Sequence, residues 1–454
     1  MDSPLALSII GLAVILGTVG LLLSNRAHPV VAMTLVPVAG ALIAGFGPSA
    51  IGEFFGSGLE SVMNVVVMFV FAIVFFGMLS DAGFFLPVVG SLIRATKGRV
   101  LAAALGTAAI GIVAHLDGAG ATTFLITIPT LLPLYKALHM SRYVLLAILA
   151  LSAGVMNMMP WAGPLGRAAS VVDEDPVQLW HHLVPIQLSS IVVVFLIAAL
   201  LGVLESRRIA RLRRSPEFIA AGPVDTDRLA AELVERWEHD NARNKVTLRR
   251  GRAVTIANVA LVVALLAVLL GGVVPPAPAF LVATAIALPL NFPAAKDQTA
   301  AIRRHAPAAL AMAGVILAAA MFLGVLEETG MLEHIALGLL AVLPEAWGPG
   351  LHVIVGVLGV PLDLLTSTDA YYFSILPIVQ ETVAEFGVSG TGAAAVLIIG
   401  NIVGTFVSPF SPALWLAIGL AGANMGKHIK VTFPLAWAFG VIMVLAAEAF
   451  GLTA

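Results

Sequence analysis

The stretch HLDGAGATTFLITIPTLLPLY, residues 115–135, decides how this chain folds. Asp117, Gly118 and Gly120 interrupt a segment that is apolar on both sides. Each flanking run, 100–116 and 123–138, falls short of the roughly 20 residues that a helix needs to cross a bilayer. The pattern predicts a re-entrant hairpin over about 100–138, its polar tip near mid-membrane, where irregular backbone is tolerated only if buried in protein or lining a wet cavity. Just downstream, GVMNMMPWAGPLGR at 154–167 places Asn157, Pro160, Gly163, Pro164 and Gly166 inside a second apolar run, 141–172. Proline has no amide hydrogen and clashes with the preceding turn, so that span is broken. A hairpin followed by a broken span marks a solute site.

Hydrophobic residues make up 60% of the chain and charged residues 11%, against roughly 45–50% and 25% in soluble domains. The class is therefore a polytopic membrane protein, expected to be all-α and to lie in the inner, cytoplasmic membrane. The first apolar run, 5–24, has no basic residue before it and no small-residue cleavage site after it, and reads as a retained span. Cysteine is absent, which excludes disulfides and thiolate metal sites.

Apolar runs of spanning length fall at about 5–24, 29–46, 61–80, 141–172 (broken), 183–204, 253–274, 277–293, 306–326, 391–423 (broken) and 431–452, giving ten spans. A second hairpin is predicted at about 350–387, cut by Pro361, Asp363 and the tip Thr366, Ser367, Thr368 and Asp369. The halves overlay: FFGMLSDAG at 75–83 on FLGVLEETG at 322–330, LDGAGATTFLITIPTLLP at 116–133 on LDLLTSTDAYYFSILP at 362–377, and Asn157 on Asn401. The expected domains are a first repeat at 1–204, a connector at 205–252 and a second repeat at 253–454. Five crossings per copy is an odd number, so the copies are predicted to be inverted.

Charge supports that plan. With the connector in the cytoplasm and both termini outside, every Lys and Arg except Arg167 falls inside, as cytoplasmic loops prefer. Asp173, Glu174, Asp175, Glu327, Glu328, Glu333, Glu345, Glu381 and Glu385 fall outside. The connector interleaves acids with bases and has helical character over 225–243; it reads as a solvated linker that binds no nucleic acid.

Asp117 and Asp369 are costly in a lipid-facing span, so each is expected to face a partner or a wet cavity. The other role open to Asp117, and to its repeat mate Asp363, is capping a hairpin helix. Thr122, Thr123, Ser367 and Thr368 offer hydroxyls beside helix starts, a combination that favours an oxyanion such as a carboxylate. Asn157 and Asn401, with Ser408 and Ser411 around the second break, offer amides and hydroxyls to substrate oxygens, or repair hydrogen bonds lost at the prolines. Arg167 escapes the charge pattern and follows the first break; its planar fork suits a carboxylate, although an exterior pairing with Asp173, Glu174 or Asp175 is equally open. His115 reads as a buried, satisfied imidazole, with proton carriage the alternative.

These residues resemble the citrate–divalent metal:proton symporter family of the ion transporter superfamily. The likeness rests on 116–135, GVMNMMPWAGPLGRAAS at 154–170, TDAYYFSILPI at 368–378 and SPFSPALWLAIGL at 408–420, and scattered agreement reaches across the whole chain. It implies proton-coupled uptake of citrate, or a similar di- or tricarboxylate, with no resident cofactor and Mg²⁺ or Ca²⁺ as part of the transported complex. It also implies an elevator-type scaffold and transport domain in each protomer of a homodimer. The chain departs from the family pattern at Ala119, where a second acid is expected, at Ser367-Thr368, where Pro-Asn is expected, and at Asn401, where Gln is expected. Within this scheme Asp369 is assigned to the proton and Asp117 to the metal, since Gly118 and Gly120 leave room for carbonyls to share a cation.

Two other readings stand beside this one. A sodium-coupled carboxylate carrier or Na⁺/H⁺ antiporter of the same fold is also served by Ser-Thr tips. An intramembrane enzyme is disfavoured, because the chain shows no HExxH, GxSxG or paired catalytic acids on facing spans.

Overall fold

A computed structural model describes residues 4–23, 27–212, 225–243, 247–249, 251–271, 274–342, 347–365 and 368–453. The first half runs α1 (Pro4–Leu23), α2 (Pro29–Ala44), α3 (Pro48–Asp81) and α4 (Leu86–Ala95). A hairpin follows, α5 (Val100–Ala114) and α6 (Gly120–Ala137) joined by the 3₁₀ turn His115–Asp117. Then come the broken pair α7 (Arg142–Met156) and α8 (Gly163–Val171), and the closing α9 (Pro176–Leu212). After α10 (Thr226–Arg243) the second half runs α11 (Arg252–Leu270), α12 (Pro276–Asn291), α13 (Ala295–Glu328) and α14 (Met331–Val342). Its hairpin is more fragmented: α15 (Leu351–Val357), α16 (Gly359–Leu365), α17 (Thr368–Ala370), a π-helical turn Tyr371–Ile375 and α18 (Leu376–Ala384). The second broken pair, α19 (Gly390–Asn401) and α20 (Pro412–Ala421), flanks the 3₁₀ turn Gly404–Phe406, and α21 (Met425–Ala449) closes the chain.

Among the described residues, six helices are long and apolar enough to cross a membrane. Their outer faces fit lipid: on α9, Leu188, Val192, Leu196 and Leu200 follow one another at i, i+4 and are all more than half exposed. So continuous an apolar stripe does not face water in a monomeric soluble protein. The protein is thus a multi-pass membrane protein.

The helix interruptions fall at the expected glycines, prolines and polar residues, but Val100–Asp117, expected to be a hairpin arm too short to cross, is itself one of the six helices of crossing length. Ser141, Ser389 and Ser411 accept backbone N–H bonds at the starts of α7, α19 and α20, meeting donors that a helix start leaves unpaired. α4 and α14, of ten and twelve residues, were not foreseen; they follow the 34-residue helices α3 and α13 at matching places in the two halves and are too short to read as spans.

The connector departs from expectation. Its helix is present, but it is docked and not simply solvated. Leu229, Ala230, Leu233 and Trp237 recur at helical spacing and pack on α4 and α6, with Ala230 and Leu233 buried. Trp237 Nε1 donates to the Asp81 carbonyl at 3.1 Å, and Arg94 pairs with Asp227 at 3.3 Å. The interleaved charges gave the stretch its soluble look and masked that apolar stripe. α9 also carries its helix to Leu212, into the stretch assigned to the connector.

Two seams hold the bundle where helices meet backbone to backbone. On α3 and α13, a Cβ added at Gly58 would lie 2.1 Å from the Ala320 carbonyl oxygen, and one at Gly324 equally close to that of Phe54. Around α19, a Cβ at Gly400 would lie 1.9 Å from the Gly356 oxygen, and one at Gly440 of α21 would lie 2.8 Å from the Gly400 oxygen. Without a hydrophobic drive between helices in lipid, such close approach supplies the dispersion contact that holds them.

Candidate functional site

The first hairpin turns on Gly118, whose φ of 69° is left-handed and therefore suits glycine. A side chain there would also meet the Trp161 carbonyl at 3.0 Å. Trp161, from the first break, donates its Nε1–H to the Leu116 carbonyl at 2.7 Å and stacks on Phe76 at 5.2 Å. The tip and the break are thus fastened together, with one face on α3.

Inside this tip, His115 is fully buried between Thr123 Oγ1, 2.7 Å from its Nδ1, and Asn157 Oδ1, 2.9 Å from its Nε2. An imidazole with both nitrogens engaged is the satisfied, structural histidine expected. Thr123 also bonds the Ala119 carbonyl at 3.0 Å and faces inward. Asn157 is 3% exposed, and its Nδ2 has no partner among the described residues. Asp117 accepts the Ala119 N–H at 2.9 Å in a local turn just before α6, and the Thr122 side chain also bonds its carboxylate. Among the described residues no three His, Asp or Glu side chains form a group able to hold a metal.

The second tip is joined to the first half by charge. Arg167, on α8, donates from Nε to Asp369 Oδ1 at 2.6 Å, with both side chains largely buried. The exterior pairing of Arg167 with Asp173, Glu174 or Asp175 is not formed. Asp363, fully buried at the end of α16, accepts from Thr368 Oγ1 at 3.4 Å through Oδ2. Thr368 in turn lies 3.1 Å from Thr405 Oγ1. Asn401 donates to the Gly359 carbonyl at 3.2 Å and receives the Tyr372 hydroxyl at 3.5 Å.

Phe406 links the two groups, edge-on to His115 at 5.7 Å and to Phe124 at 5.3 Å. The Ser408 and Ser411 oxygens accept the N–H groups of Phe410 and Leu414, both at 3.4 Å, so they repair the backbone at the break. Ser367 lies outside the described residues. Thr405 and Tyr372 were not singled out from sequence; a hydroxyl beside the Gly404 break and a tyrosine three residues after a tip acid were the available signals. The π turn, a form frequent at functional sites, left no sequence mark.

A citrate transporter family model matches residues 5–404. The chain belongs to the citrate transporter family. Among its relatives in Bacillus subtilis (strain 168), a citrate transporter is 34% identical, covering 98% of this chain and 99% of that one. A Mg(2+)/citrate complex secondary transporter is 32% identical over 98% of each chain. The fold is shared more distantly with the YdaH transporter of Alcanivorax borkumensis, at a TM-score of 0.59 and 15% identity over 89% of this chain and 90% of that one. MtrF of Neisseria gonorrhoeae gives a TM-score of 0.52 and 17% identity over 88% and 82%. This family member is a transporter and not an enzyme.

Proposed function

We propose that the protein is a proton-coupled secondary transporter that takes up citrate, or a related di- or tricarboxylate, as a complex with Mg²⁺ or Ca²⁺. The observation that carries this reading is the Arg167–Asp369 pair, where the second tip meets the first break. A bare carboxylate that took Arg167 would leave Asp369 buried without a counter-charge, and stranded buried charges are strongly destabilising. A metal–carboxylate complex offers both signs. Its free carboxylate replaces Asp369 at the guanidinium, and its cation meets Asp369. The Mg(2+)/citrate relative supports the metal.

In this scheme Asp117 adds a second oxygen on the cation side, while Thr122, Thr368 and the free amide of Asn157 meet citrate oxygens. Asp369 moves from the proton to the ion pair. The inverted repeats, the cytoplasmic connector, the elevator motion and the homodimer belong to the same proposal. Uptake of labelled citrate into proteoliposomes tests it. Accumulation is expected under an inward proton gradient with Mg²⁺ or Ca²⁺ present and is expected to collapse when a chelator removes the metal. Uptake that ignores the metal and follows a sodium gradient would replace this reading with the sodium-coupled one.

A further inference from the structure

We propose that Asp363 is the residue that carries the coupled proton. This rests on the proton-coupled reading above and deepens it, for that reading leaves the proton without a seat once Asp369 is held by Arg167.

Asp363 is fully buried, and its Oδ1 has no hydrogen-bond partner among the described residues. Its carboxylate is met only by the long contact from Thr368 to Oδ2, shared with Thr405, and by the Asn401 side chain, whose amide already bonds the Gly359 carbonyl. An ionised carboxylate taken out of water needs a paired cation or several donors. The charged and titratable groups around it do not meet that need. Arg167 is occupied by Asp369, Asp369 is itself acidic, and the hydroxyls of Tyr371 and Tyr372 point to Leu397 and Asn401. On α21, His428 is bonded to the Phe406 carbonyl and to Thr432.

A metal ion is a poor answer at this position. The backbone of Gly404 lies so close that an added Cβ would sit 2.8 Å from Asp363 Cβ and 2.9 Å from Oδ2. A proton needs no coordination shell and converts Oδ1 into a hydroxyl. The position also couples. Asp363 and Gly404 touch, and on the adjoining residue Val403 presses against Gly154, three residues before Asn157. Citrate drawn to Asn157 and Arg167 therefore works on the backbone that encloses Asp363, and Thr368 ties Asp363 to the tip that bears Asp369.

The test uses the full chain in proteoliposomes with labelled citrate and Mg²⁺. Wild type must first concentrate citrate under an inward proton gradient; if it does not, proton coupling itself fails, whatever Asp363 does. Asp363→Asn is expected to keep exchange of preloaded citrate and to lose gradient-driven accumulation. A variant that still accumulates citrate under the gradient overturns the proposal. Because the variant could fail to fold, infrared difference spectra of wild type on adding Mg²⁺–citrate give a second reading. They are expected to show a protonated-carboxyl stretch whose frequency moves in Asp363→Glu; a stretch absent from wild type, or unmoved in Asp363→Glu, overturns the proposal.

Discussion

Arg167 Nε lies 2.6 Å from Asp369 Oδ1, so a side chain of α8 in the first half grips the hairpin tip of the second. The bond joins positions 202 residues apart, and it falls where both elements are irregular. Binding that opens this pair is felt at once by a broken span and by a hairpin.

Arg167→Lys retains the positive charge and loses the planar fork. Citrate affinity is expected to fall by about tenfold or more, roughly 1.4 kcal/mol per decade, with membrane insertion unchanged. In detergent, Arg167→Gln and Asp369→Asn should each lower thermal stability. Their combination should recover about 1–3 kcal/mol relative to additivity without restoring transport. An additive double mutant would show that the pair does not couple.

Asn157→Asp keeps an oxygen for His115 Nε2 but removes the amide hydrogens of Nδ2. If that amide meets a citrate oxygen, binding should weaken by roughly 1.5–3 kcal/mol, the worth of a hydrogen bond to a charged group, and added repulsion deepens the loss. The measurement is citrate-dependent thermal shift together with the transport KM; unchanged values would make Asn157 a partner of His115 and nothing more.

Trp237→Ala removes both the indole donor to the Asp81 carbonyl and the ring against Gly83. For this half-buried side chain a loss of about 2 kcal/mol is expected, within the usual range for single substitutions. α10 should then leave α4 and α6. Protease added to inverted membrane vesicles is expected to cut the connector faster in the variant than in wild type, with the transmembrane fragments intact.

Cysteines placed at Arg236 and Glu385, both exposed, should react with an impermeant maleimide from opposite sides of the membrane, Arg236 from the cytoplasm. Labelling of both from one side would break the inverted arrangement and, with it, the cytoplasmic placement of the connector.

Much of this fold was legible because proline, glycine and buried polar residues punctuate an apolar chain. The helix interruptions announced themselves this way at Asp117–Gly120, Pro160–Gly166, Asp363–Asp369 and Gly404–Pro412. The site was less legible, since a side chain's partner depends on tertiary approach. Asp117 and Asp363 occupy matching places in the two halves, yet Asp117 accepts the Ala119 N–H while Asp363 keeps an oxygen without a partner among the described residues. Nothing in their local spacing separates them; their tertiary surroundings do. Arg167 stood out by charge, but its partner Asp369 came from the far half. Ser411 caps the start of α20, a use that every Ser-Pro helix start makes available and that its spacing alone did not reveal.

The seam of Gly356, Gly400 and Gly440 has a mechanical consequence. Where main chain rests on main chain, with a hypothetical Cβ at Gly400 only 1.9 Å from the Gly356 oxygen, no side chain can yield to take up a shear. α15, α19 and α21 are therefore welded, and Asn401, bonded to the Gly359 carbonyl, extends the weld to α16. In any motion of the bundle these four helices are expected to travel as a single block.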